Sequence, residues 1–274
     1  MKKRIVCPMI AGIAAIALFA TGSVAQAGQG GTDTISIHFG ADEPTQVAGS
    51  MLAATDVTGV VPSGNWNNET TNAGTDSNLL EDVNGTASRT GAQVVWYASN
   101  TWASTGKGEE NNNFQGADHT LMSGYLDMEV GQPAVTFIQV SNLPASFSGT
   151  FDVYIYALAG VPGRGGIYEV NGAQNRGVGP QGNYAYYVAS GTADPTKTGT
   201  QGLYSGPDWV QAIGDDKNFG SDGVNQDDFG NYIAFYGLQG PTVNITAVSL
   251  AMPSLPGYNG TPRAPLNGIQ LVVD

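Results

Sequence analysis

Strict alternation of apolar and polar residues, repeated in short stretches along the chain, limits its fold more than any other feature. Residues two apart on an extended backbone point to the same side, so such a stretch buries one face and wets the other. In 151–157, Phe151, Val153, Ile155 and Ala157 form an apolar face. Tyr154 and Tyr156 lie opposite, as amphipathic cover or as a binding surface. In 35–39, Ile35, Ile37 and Phe39 face one way, Ser36 and His38 the other. The same pattern marks 93–98, 125–130, 134–140, 167–170, 184–189, 232–236, 243–250 and 269–273, about ten strands in all.

Composition agrees with the pattern. The 39 glycines and the many Asn, Thr and Ser favour turns, while Lys and Arg together number only 10 in 274 residues, leaving few builders of surface helices. The expected fold is all-β: a two-sheet antiparallel β-sandwich of jelly-roll type with long loops. Asn84-Gly85, Asn171-Gly172, Asn259-Gly260 and Asn267-Gly268 are predicted to supply the positive φ angles of tight turns. Residues 45–90 and 191–230 carry no strong strand pattern and read as long loops at one end, where sandwiches place binding sites. Neither repeats nor a Pro/Ser linker divide the chain, so 28–274 reads as one domain.

The first 27 residues read as a secretory leader. Lys2, Lys3 and Arg4 precede the apolar run 10–20, and Ala25-Gln26-Ala27 offers a small-x-small cleavage site. Cleavage after Ala27 removes three cations, making the net charge more negative than the −13 of the whole chain. Such acidity disfavours nucleic acid and anionic membrane as partners. The single cysteine, Cys7, lies in the leader ahead of its apolar run, where it is not placed for lipid anchoring. The exported part then has no disulfide, thiol nucleophile or sulfur ligand. A secreted or periplasmic protein held together by its core is the expectation, with no membrane insertion once the leader is removed.

Residues for chemistry are sparse. The two histidines, His38 and His119, show no zinc spacing, and no serine sits in a Gly-x-Ser-x-Gly elbow. Asp118-His119 contains two members of a triad, but a His beside an Asp in an exposed loop is usually just solvated. Asp127 and Glu129 share a strand face, as acids on any acidic sandwich do, and no carboxylate pair is singled out for glycoside hydrolysis. The chain reads as non-catalytic.

Residues for binding are more numerous. Sugar rings stack on Trp and Tyr, and their hydroxyls need amide and carboxylate partners. Gly64-Asn65-Trp66-Asn67-Asn68 surrounds a tryptophan with amides; it is either a ligand contact or a corner with Trp66 buried. Trp102, in a predicted loop with polar neighbours, and Asp208-Trp209, in the second long stretch, are the other candidates, while Trp96 reads as core. Asp215, Asp216, Asn218, Asp222, Asp227 and Asp228 supply oxygen ligands dense enough for a calcium ion, with Asn225 and Asn231 nearby. Ser221 where an EF-hand needs glycine, and no terminal Glu, mark a non-EF site if a site at all.

Several segments together resemble a domain family found in exported proteins of planctomycetes, verrucomicrobia and bacteria using the PEP-CTERM sorting system. They are Ile35-Ser36-Ile37-His38-Phe39-Gly40, Gly59-Val60-Val61-Pro62-Ser63-Gly64-Asn65-Trp66-Asn67-Asn68, Leu121-Met122-Ser123-Gly124-Tyr125-Leu126-Asp127, Phe151-Asp152-Val153-Tyr154-Ile155-Tyr156, Gly230-Asn231-Tyr232 and Arg263-Ala264-Pro265-Leu266-Asn267-Gly268-Ile269-Gln270-Leu271-Val272. The outline is similar to malectin-like and galactose-binding-like jelly rolls. That resemblance implies carbohydrate recognition by loop aromatics and a structural calcium ion, without assigning ligand residues one by one. The family's sorting tail is missing, so free secretion or the periplasm is expected. The function expected is glycan recognition by Trp66, Asn67, Asn68, Trp102, Asp208 and Trp209. A structural envelope or matrix protein and a polysaccharide hydrolase are the alternatives.

Overall fold

A computed structural model describes residues 32–41, 51–104, 110–128, 135–159, 164–170, 184–190, 207–212, 230–251 and 263–274. Its strands are β1 (Thr34–Phe39), β2 (Asn67–Glu69), β3 (Ala73–Ser77), β4 (Leu80–Val83), β5 (Thr86–Arg89), β6 (Gln93–Tyr97), β7 (Asn100–Ala103), β8 (Gly124–Asp127), β9 (Val135–Ser141), β10 (Phe151–Tyr156), β11 (Arg164–Val170), β12 (Tyr184–Ser190), β13 (Tyr232–Leu238), β14 (Thr242–Ala251) and β15 (Gly268–Val273). Among the described residues an α-helix, α1, spans Gly116–Ser123. The protein is an all-β sandwich. One sheet has the order β13-β10-β15-β1-β4-β5, with β2 added parallel to β1. The other has the order β12-β11-β14-β9-β6-β3, and β7-β8 form a separate ribbon.

From β9 onward the chain passes repeatedly between the sheets, so inward residues of both meet in one core. Ile35, Ile37, Phe39, Val153, Ile155, Phe235, Ile269 and Leu271 pack from one side against Val94, Trp96, Ile138, Val140, Tyr168 and Ile245 from the other. Trp96 is core, as expected, and its indole Nε1 donates to the Thr71 carbonyl at 2.8 Å. Gly74 on β3 makes room for it, since a Cβ there would lie 2.4 Å from the ring.

All ten segments read as strands contain strands. The stretch 45–90 is not a loop, however, because it holds β2 to β5. Ala73-Gly74-Thr75-Asp76-Ser77 has no strand propensity of its own; the hydrogen-bonding edge of β6 makes it one. Asn84-Gly85 is the tight turn expected, with φ of 52° and 83° between β4 and β5. Asn267-Gly268 is not a turn. Gly268 begins β15, where a Cβ would meet the Ile37 carbonyl at 2.9 Å and Leu121 Cδ1 at 3.0 Å. The other two pairs and the leader lie outside the described residues.

A second layer covers most of the outer face of the seven-stranded sheet. Leu52, Trp66, Phe114, Leu121, Met122 and Leu158 form its apolar part, in one cluster with Tyr156 of β10. Its polar part satisfies sheet residues that would otherwise face water. Gln270 Nε2 donates to Ser63 Oγ at 2.8 Å and to the Val61 carbonyl at 2.9 Å. The Tyr156 hydroxyl donates to Gln270 Oε1 and accepts from Val60 N at 2.8 Å. Gly59, at φ +100°, passes so close that a Cβ would lie 2.6 Å from Gln270 Oε1.

Candidate functional site

Beyond the cover, that sheet is exposed at β5 at one end and open along β10 and the edge strand β13 at the other. Their register sets Tyr154 opposite Ala234 and Tyr156 opposite Tyr232. Tyr232, Ala234 and Tyr236 alternate onto the same side as Tyr154. Alanine opposite Tyr154 leaves its ring between its two diagonal neighbours. Its centroid lies 6.3 Å from that of Tyr232 and 6.4 Å from that of Tyr236, the latter edge-on at 88°. All three tyrosines are half-buried.

Trp209 extends the surface. Its ring lies 5.1 Å from Tyr156 and 4.9 Å from Phe114, half-buried, with the exposed Asp208 beside it in sequence. Asn231 holds the segment in place. Its amide donates to the Asp208 carbonyl at 2.9 Å and accepts from Val210 N at 2.9 Å. Gly230 allows the approach, since a Cβ there would lie 2.4 Å from Ala212 N. Gly230-Asn231-Tyr232 is therefore a clamp that sets Trp209 beside the tyrosines. Gln211 pairs with Tyr232 and accepts from the Tyr236 hydroxyl at 3.4 Å.

The Tyr154 and Tyr232 phenols stay protonated. Burial, then Asp152, Tyr236, Tyr232 and Asp274, push Tyr154 up to about 12. Burial and Tyr236 raise Tyr232 as well. The surface thus offers flat apolar rings, hydroxyl donors and an amide, a combination suited to a ring-shaped, hydroxyl-bearing ligand.

The other candidates are placed differently. Trp66 is 4% exposed, its ring 6.0 Å from Tyr156, and its Nε1 donates to the Ser63 carbonyl at 3.0 Å. It fills the corner role, because a ring enclosed by the cover layer has no face for a sugar. Asn67 donates to the Ser36 and Leu80 carbonyls, at 3.0 Å each, and accepts from Leu80 N at 2.8 Å. Asn68 accepts from Leu52 N at 2.9 Å and donates to the Leu52 carbonyl at 3.0 Å. Both amides serve backbone rather than ligand. Trp102 is not in a loop; it is half-buried on β7, opposite Tyr125 on the separate ribbon. Asn231 is the clamp rather than a metal ligand. Asp215, Asp216, Asn218, Asp222, Asp227 and Asp228 lie outside the described residues.

His119 is on α1 rather than in a loop. Asp118 turns away to accept from the Thr58 hydroxyl, and the buried Ser123 hydroxyl, 3.4 Å from His119 Nε2, donates to the His119 carbonyl at 2.5 Å. Asp127 is not on a solvent face; it is buried and ion-paired with Arg263 at 3.3 Å. Glu69 is half-buried on β2. Burial, then Asp76 by charge and by hydrogen bond, raises it to about 7. Two carboxyls in hydrogen-bond contact sit closer than the roughly 5 Å a glycosidase pair requires.

The tyrosine surface was half visible in sequence. Alternation put Tyr154 outward and allows the same for Tyr232 and Tyr236, but nothing local says that β10 and β13 are neighbours. No protein family, curated protein or solved structure matches the chain.

Proposed function

We propose that this is an exported, non-catalytic glycan-binding protein whose ligand rests on Tyr154, Tyr232, Tyr236 and Trp209. The observation that carries the proposal is the gathering of four half-buried aromatics, with Gln211 and Asp208 at their margin, at the β13 end of a sheet face whose middle is covered. Export rests on the leader pattern of residues 1–27, and intact-mass measurement of the secreted chain tests cleavage after Ala27.

A glycan-array screen of the protein, followed by titration of any hit, tests the main reading. Tyr154→Ala and Trp209→Ala should each weaken binding about tenfold or more, as truncating a central aromatic anchor does. Trp102→Ala, on the separate ribbon, should leave affinity within about twofold. Running each titration with calcium and with chelator shows whether a cation contributes. A protein that binds no glycan on the array under either condition is not a glycan receptor, and the structural reading then replaces this one.

A further inference from the structure

Beneath the cover, two buried oxygens lack hydrogen-bond partners. Thr34 on β1 and Asp82 on β4 are directly opposite in the ladder, on the outward side that Thr34 shares with Ser36 and His38. The cover leaves Thr34 2% and Asp82 5% exposed. Asp82 Oδ2 accepts from Gly64 N at 2.7 Å. Asp82 Oδ1 and Thr34 Oγ1, however, are buried without a hydrogen-bond partner. A carboxylate oxygen left bare in such a place is costly, and a ligand that meets it recovers that cost.

Gly64 marks the place. The three atoms nearest to a Cβ built on it are all oxygens: Asp82 Oδ2 at 3.4 Å, the Ala54 carbonyl at 3.6 Å and the Asp56 carbonyl at 3.8 Å. Those are ordinary contact distances, and the backbone at Gly64 is not left-handed, so neither a clash nor φ demands glycine. A cation drawn to about 2.5 Å from the same oxygens would need the space of that Cβ. Carboxylate, hydroxyl and main-chain carbonyl are all hard oxygen ligands.

The charge of the site selects the ion. The Asp56 carboxylate accepts from Ala53 N at 2.8 Å, which leaves Asp82 as the one charged ligand among the described residues. A divalent ion would bury a net positive charge under the cover, whereas a monovalent ion is balanced. We propose that Asp82, Thr34 and the carbonyls of Ala54 and Asp56 bind a sodium ion. The ion pins segment 53–64 of the cover to β1 and β4.

Melting curves of the intact protein, freed of divalent ions by chelator, in sodium, potassium or choline chloride test this. Screening is the same in all three salts at equal ionic strength, so a difference between them reports a site. At about 150 mM, sodium should raise Tm by about 3 °C or more over choline, in a saturable way. Gly64→Ala keeps every ligand but sets a methyl group among them. Asp82→Asn keeps an acceptor for Gly64 N and removes the charge. Both variants should melt alike in all three salts. Equal melting of the unaltered protein in sodium and choline overturns the proposal and leaves a trapped water between the oxygens. A sodium increment that survives in both variants overturns it too, by placing the ion elsewhere. If about 1 mM calcium in choline chloride stabilises more than sodium does, and both variants lose that gain, the choice of a monovalent ion is overturned. Sodium NMR needs no variant: the unaltered protein should broaden the line saturably, and an unbroadened line overturns the proposal.

Discussion

The two outer faces of the sandwich arise from the same alternation and end differently. On the six-stranded sheet the outward residues stay open: Tyr97 is 50% exposed, Val135 39% and Val248 37%. Their neighbours are Thr75, Gln93, Gln139, Asn244 and Thr246, and Gln139 donates to Asn244 at 2.8 Å along the face. On the seven-stranded sheet the outward Ser36, His38, Tyr156 and Gln270 are sealed under the cover layer. Covering a polar face is costly unless every donor and acceptor finds a partner. Side-chain amides provide much of that here. Asn267 accepts from Leu158 N at 2.7 Å and donates to the Met122 and Gly124 carbonyls at 2.8 and 2.9 Å. Asn111 donates to the Met122 and Leu158 carbonyls at 2.5 and 2.9 Å. An amide that caps loop backbone does for the cover what a neighbouring strand does for a sheet. The tyrosine surface lies where this layer stops, at the β13 end of the sheet.

The largest effects should therefore fall under the cover. Asn267→Ala takes the side-chain partner from Leu158 N and the Gly124 carbonyl, while the Met122 carbonyl keeps Asn111, and should cost about 2–4 kcal/mol, whereas Asn244→Ala on the open face should cost under about 0.5 kcal/mol. Urea denaturation of both variants checks this; similar losses would erase the distinction between the faces. Trp66→Ala should cost about 3–4 kcal/mol for its buried ring, against about 1 kcal/mol or less for Tyr97→Ala.

Acid should unlock the cover next. His38 is fully buried, and burial lowers its pKa to about 4, outweighing the opposing pull of Asn68 and the Thr120 backbone. The bonds between Asn68 and Leu52 fix the amide, so Asn68 Oδ1 must accept from His38 Nδ1–H at 3.0 Å. The unfolded chain takes up this proton near 6.5 and the folded one only near 4. Stability from His38 is thus present above pH 6.5 and lost as pH falls toward 4, by up to about 3 kcal/mol. Glu69 acts oppositely: its raised pKa lends stability at low pH that is lost as pH rises from about 4.5 through 7. Melting curves of His38→Gln and Glu69→Gln across pH 4–8 separate the two. The histidine variant should flatten the acid limb and the glutamine at 69 the neutral one.

The smallest effect on stability should come at the open surface, with the largest on ligand. Gly230→Ala should displace Trp209 and weaken glycan binding several-fold, with little change beyond about 1–2 kcal/mol in unfolding. A variant that binds normally would detach Trp209 from the site.

Sequence alternation is enough to locate the ten strongest strands, because period two is a local property of extended backbone. It misses β3, whose residues suit a turn and which exists because β6 offers an edge. It also misses α1, eight residues whose buried part is only Leu121, Met122 and Ser123. Asn67, Asn68 and Trp66 read as ligand residues or as a corner with equal chemistry, since an amide bonds a sugar hydroxyl or a backbone carbonyl alike. Asp208 and Trp209 could be named from sequence, while their tyrosine neighbours depend on the β10–β13 register.

By itself, then, the sequence determined an all-β sandwich and which side of each strand is apolar. Only the tertiary structure decided which outward face meets water. Alternation separates two sides of a strand, but a polar side can be hydrated or capped by distant backbone. Gly59, Asn111 and Asn267 settle that choice from positions far along the chain.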